Sequence, residues 1–167
     1  MQKTFFLGLM FLLFSCDDGD IEIETIDFDS VDIETCETGS IDTGLFFKIN
    51  DDEALILELE DGKLLNEASA EQIESTIGSG STLTYRLFSG TVSKTYFCDD
   101  VPVIDPQAIS EIVASNGTVL INTIEIDSTT FEHSIELTDV TFETDTNNRI
   151  TDLTINDFGT FTSIKSE

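Results

Sequence analysis

The chain has 167 residues, 34 of them acidic and only seven Lys or Arg, and its formal net charge of −27 at pH 7 excludes nucleic acid as a partner, because such a field repels a polyphosphate. Yet 40% of the residues are hydrophobic, more than a disordered acidic tail carries, so one folded domain of ordinary size is expected. Trp is absent and His occurs once, which leaves little for His-based catalysis, His-rich metal centres or Trp-lined sugar platforms.

Met1-Gln2-Lys3 is a short cationic start, and Phe5 to Phe14 is an apolar run broken only by Gly8. At about ten residues this run matches a signal-peptide core and is too short for the roughly twenty residues of a membrane span. It ends in Leu13-Phe14-Ser15-Cys16. These four residues resemble the lipobox of bacterial lipoproteins, with Leu three places before the Cys and a small residue just before it. Phe14 departs from the smaller residue usual at its position. The resemblance implies cleavage after Ser15, a diacylglycerol on the Cys16 thiol and an acyl chain on its new amino group. Three chains anchor stably, at about 0.8 kcal/mol per buried methylene. An ordinary secretory peptide and a retained helical anchor are the competing readings.

Asp17-Asp18-Gly19-Asp20 follows. An acidic run after the lipidated Cys resembles the export signal of surface lipoproteins in Bacteroidota. In enteric-type bacteria an Asp there would suggest inner-membrane retention, and a plain solvated spacer is a third reading. The expected organisation is a signal peptide over 1–15, a lipidated Cys and acidic tether over 16–20, and one β-rich domain over 21–167. The expected location is the outer membrane, lipid-anchored and cell-surface exposed, with a periplasm-facing anchor as the alternative. With Cys16 assigned to lipid, Cys36 and Cys98 remain in a chain bound for an oxidising compartment. A disulfide is their natural pairing, with two free thiols as the alternative.

Beyond the tether the pattern alternates with the period of a half-buried strand. Ile21 to Glu24, Ile26 to Asp29 and Val31 to Glu34 each alternate, and the parity flips between them, so bulges or turns are expected there. Leu45, Phe47 and Ile49 form one face of a strand. Asn50-Asp51-Asp52 is a turn, and Leu55, Leu57 and Leu59 follow on the next strand. Asp61-Gly62 reads as a hairpin signal. Residues 66–77 suit a short helix ended by Gly78-Ser79-Gly80. Leu83, Tyr85 and Leu87 share a strand face, and Val92 to Cys98 reads as a further strand.

The strongest helix signal is at 105–116, where Asp105 can cap, Pro106 fits the first turn, and Ile109, Ile112 and Val113 make a stripe before Asn116-Gly117. Strands resume at 118–127, 130–143, 149–156 and 158–164, with a hairpin at 145–148. The fold class expected is mainly β, a single antiparallel β-sandwich with one short helix at about 105–116, or alternatively a barrel-like arrangement. Phe46, Ile56 and Phe88 have the opposite parity to their strands' main face, and are expected to pack under that helix or to form a contact patch.

Chemical signals are sparse. His133 shares parity with Phe131 and Ile135, so it faces the core side and reads as a hydrogen-bonded structural His. Calcium takes six to eight oxygen ligands, and the candidate loop ligands are Asp51, Asp52, Asp99, Asp100 and Asp145. The same residues are favoured in turns for backbone reasons, and solvated turn residues are the leading expectation for them, with calcium the weaker one. No other cofactor is indicated. Asp29-Ser30-Val31 and Asp127-Ser128-Thr129 resemble the Bacteroidota O-glycosylation motif, which implies Ser30 and Ser128 as acceptors. The functional expectation is a lipid-anchored, non-enzymatic binding, adhesion or envelope-assembly protein. It would contact the membrane through its lipid and a protein or extracellular partner through its loops. The absence of Trp counts against glycan binding. A carboxylate-dependent hydrolase of envelope material, with two converging acids of raised pKa, is the alternative.

Overall fold

The computed structural model describes residues 25–37, 39–101, 103–144, 149–150 and 152–165. The lipobox, Cys16, the acidic tether and Asp145 lie outside the described residues. The first strands in chain order are β1 (Thr25–Asp27), β2 (Glu34–Thr35), β3 (Leu45–Asn50), β4 (Glu53–Glu58), β5 (Ile73–Thr76) and β6 (Thr82–Phe88). The helix α1 (Lys94–Cys98) follows. After it come β7 (Ala108–Glu125), β8 (Thr130–Glu143), β9 (Arg149–Ile150), β10 (Asp152–Thr154) and β11 (Asp157–Ile164). The fold is mainly β with one short helix.

The main ladder runs β11-β8-β7-β6-β4-β3-β2, with β5 on β7 and β9 on β8. Every pairing within it is antiparallel. A separate parallel pair, β1 with β10, holds the start of the described chain. β7 divides its partners: residues 108–113 pair with β6, whereas 114–125 pair with β8 and 118–121 also with β5. The ladder therefore folds into two layers that share one strand. Phe46 on β3 meets Phe161 on β11 edge-to-face at 5.2 Å, so the two layers bury a common core. The layers do not close into a barrel among the described residues. The ladder ends at β2 and β11, and a lone bridge brings Ile164 N–H to the Gly39 carbonyl at 2.8 Å.

The helix expected over 105–116 is instead the first half of β7. Ile112 and Ala114 are buried, while Ile109 and Val113 are each 50% exposed, a period of two rather than 3.6. All three residues of the stripe are β-branched and favour a strand once β6 offers a ladder, and tertiary pairing overrides the capping signals. Asn116-Gly117 marks a register shift, not a helix stop. The segment 66–77 is likewise not a helix: it runs irregularly along the second layer and ends as β5, with Ser69 and Thr123 exchanging hydrogen bonds.

The helix that does form lies where a strand was expected, within 92–98. It closes over a second apolar cluster of Phe47, Ala54, Ile56, Phe88 and Val92. Phe97 stacks on Phe47 at 4.5 Å, and Tyr96 meets Phe88 edge-on at 4.9 Å. Ile56 and Phe88 thus pack under a helix, but under this one. Phe46 belongs to the main core, and it is Phe47 that faces outward to α1; the expected faces of β3 are exchanged. The register explains it, because Phe46 pairs with Leu57 and Phe47 with Ile56.

Cys36 and Cys98 are joined by a disulfide, closing a loop of sequence separation 62 and fastening the end of α1 beside β2. On the chain-entropy model such a loop stabilises by about 4 kcal/mol. The double substitution Cys36→Ser, Cys98→Ser is expected to lower the urea-unfolding free energy by about 2–4 kcal/mol. An unchanged midpoint in urea would show that the bond adds nothing to the fold.

Candidate functional site

The described calcium candidates, Asp51, Asp52, Asp99 and Asp100, do not converge on one site. Asp51 and Asp52 form the two-residue turn between β3 and β4, with Asp51 at φ 56°, a conformation Asp tolerates. Their carbonyls accept from Val92 and Phe88, so this turn serves the backbone. Asp99 and Asp100 are exposed at the end of α1. No group of three Asp, Glu, His or Cys side chains that could hold a metal occurs among the described residues. Ser30 and Ser128 are both exposed in turns. Beside Ser128, the Asp127 carboxylate accepts the backbone N–H groups of Thr129 and Thr130 at 2.9 Å each, which holds its carboxyl below the usual range.

His133 faces the core, as its parity implies, and is fully buried. Its Nδ1 lies 2.8 Å from Thr123 Oγ1 and its Nε2 lies 2.8 Å from Ser163 Oγ. Ser163 donates its own proton to Asn66 Oδ1 at 3.0 Å. Ser163 must then accept from Nε2–H, and Nδ1 accepts from Thr123. This fixes one neutral tautomer and bolts β7, β8, β11 and the 66–72 segment together. Burial pulls the imidazole pKa down from 6.5, and no carboxylate touches it. Both ring nitrogens are thus occupied by hydroxyl partners that join the layers.

The charged residue that the pattern did not reveal is Lys48. It shares the Phe46 parity on β3, is 1% exposed and points into the end of the core. Its Nζ donates to the Asp157 carbonyl at 2.8 Å and lies 5.8 Å from the centre of the Phe158 ring. Burial lowers its pKa, against the pull of Asp157, Asp29, Asp32 and Asp27. Asp29 also accepts the Asp157 N–H at 3.0 Å. Lys48 belongs to the lining of a cleft of about 420 Å³ between residues 29–33 and the start of β11. A lone cation inside the run Leu45-Phe46-Phe47-Lys48-Ile49, in a chain with so few cations, is the signal that could have found it.

A second groove of about 300 Å³ lies between residues 41–44 and 59–64. Ser75 and Lys63 bind its Glu60 at 2.7 and 3.2 Å and hold that carboxyl low. No helix among the described residues is long and apolar enough to cross a membrane. No protein-family model, curated protein or solved structure matches the chain.

Two measurements check these assignments. His133 is the one imidazole in the chain, so its NMR titration is unambiguous and its midpoint is expected below 6.5. A folded value below the unfolded one means that the neutral ring is favoured. The His133 contribution is then complete above the unfolded value and declines as pH falls through the folded one. The stability advantage of wild type over His133→Gln should therefore shrink as pH falls below about 6.5. For Lys48, the desolvation cost outweighs the pull of the carboxylates. Lys48→Met should stay within about 1 kcal/mol of wild type, and Lys48→Ala should lose about 2–4 kcal/mol through the cavity it opens. Equal losses in a denaturant titration would show that the charge, not the packing, holds the site.

Proposed function

We propose that this protein is a lipid-anchored envelope lipoprotein, held by Cys16 and displayed on the outer face of an outer membrane, whose β domain binds rather than catalyses. The observation that carries the reading is the pairing of Cys36 with Cys98. Disulfides persist in oxidising compartments, and this one leaves Cys16 as the remaining cysteine, directly after the apolar run and its small residue. Lipid fixes the chain, the acidic tether spaces it, and the charge keeps the surface soluble and apart from like-charged neighbours.

The hydrolase reading needs an acid with a raised pKa beside a second carboxylate. The shifted carboxyls among the described residues, Glu60 and Asp127, are both lowered, each by hydrogen bonds to its charged form. This favours binding over acid catalysis.

The test is metabolic labelling with radioactive palmitate, followed by protease treatment of intact cells with a periplasmic protein as control. Wild type should take up label and Cys16→Ser should not. The domain should be digested while the control survives. Label retained in Cys16→Ser would remove the anchor, and digestion only after lysis would place the domain inside the envelope.

A further inference from the structure

We infer that the cleft over Lys48 is a binding site for a neutral polyhydroxylated ligand about the size of one sugar residue. The inference rests on the binding role proposed above and names the chemistry of the ligand. Its basis is a cavity that contains a buried cation. The cleft measures about 420 Å³, within the range of small-molecule sites. Lys48 is the most buried side chain of its lining. An ammonium has three N–H donors, and here one is given to the Asp157 carbonyl. The ion pairs among the described residues are Lys63–Glu60 and Arg86–Glu111, so no described carboxylate takes up the others at ion-pair distance.

Charge sorts the ligand classes. A free anion entering the cleft is repelled by Asp29, Asp32 and Asp157, and a free cation, though drawn by those three carboxylates, must sit against the Lys48 ammonium. A ligand without net charge, accepting from the ammonium and donating to carboxylates, satisfies both. Hydroxyl groups do both at once. Ser30 and Thr160 add hydroxyls that can take either role, while Val31 and Ile33 offer an apolar wall to the C–H face of a ring. The Asp29 carboxylate is already oriented by the Asp157 N–H at 3.0 Å. No aromatic ring belongs to this lining, so affinity comes from hydrogen bonds and is weak, in the millimolar range. The missing Trp thus limits the strength of sugar binding here without removing the means for it.

The experiment is saturation-transfer NMR on the full chain in a detergent without a sugar headgroup. The probes are D-glucose, D-galactose, D-mannose and N-acetyl-D-glucosamine, each tested alone. Ring protons of at least one sugar should receive transfer. Lys48→Met should weaken the binding about tenfold. Asp32→Asn, an exposed change that leaves the core untouched, should weaken it severalfold. Transfer to none of the four sugars, or transfer that both variants leave unchanged, overturns the site. Cys16→Ser should bind as wild type does. Lost labelling with retained transfer would therefore overturn the anchor alone, and retained labelling without transfer the pocket alone.

Discussion

Two layers share one strand, and that strand must change partners without opening the core between them. β7 does so around Asn116 and Gly117, where its register against β8 shifts twice in succession. Extra residues on one strand bend it and increase its twist, which turns a single ladder into two faces. Residue 117 has φ 147°, a conformation that L side chains rarely adopt. A Cβ there would stand 2.9 Å from Ile77 Cδ1 and 3.2 Å from Val140 Cα. Backbone and contact therefore both demand glycine. The buried residues on either side of the bend, Ala114 and Val119, belong to one hydrophobic cluster, so the corner is filled.

That corner also marks where the amino-acid pattern stops being readable. Alternation located β6, β8 and β11 well, because each buries one face more deeply than the other, whereas β3 and β4 bury both faces, and the faces of β3 are exchanged from those expected. The first half of β7 was opaque because Ile109, Ile112 and Val113 fit two periods at once. What decides between them is a hydrogen-bonding partner, β6, that adjoins β7 only in the fold. The segment 92–98 failed for the complementary reason. Its Val92, Tyr96 and Phe97 look like a strand's apolar content, but they serve as a cover for Phe47, Ile56 and Phe88 on the outer side of the first layer. The cysteine pair was legible from count and compartment. The partners of His133 were not, since Thr123, Ser163 and Asn66 come from three other segments of the chain.

Lys48 takes its meaning from the same charge imbalance that makes the sequence unusual. With 34 acids against seven bases, most carboxylates can only be solvated, and they lie on outward positions. Lys48 is the one Lys, Arg, Asp or Glu side chain buried among the described residues. Burying an ammonium is costly, and a single carbonyl bond offsets that cost only in part. The nearby carboxylates attract it at longer range without cancelling that cost, so its pKa stays lowered.

The segment carrying those acids is the first described stretch of the chain. Phe28 and Asp29 donate their N–H groups to the Thr154 carbonyl, Asp29 accepts from Asp157, and Asp157 accepts from Lys48. Ile33 packs so closely on Gly159 that a Cβ there would meet it at 3.1 Å. The strap of residues 25–33 is thus riveted to β11 and β3 by backbone, charge and packing together. It is also the stretch that follows the proposed anchor and tether. Tension from the membrane would enter the domain through this strap, and the strap forms one wall of the Lys48 cleft.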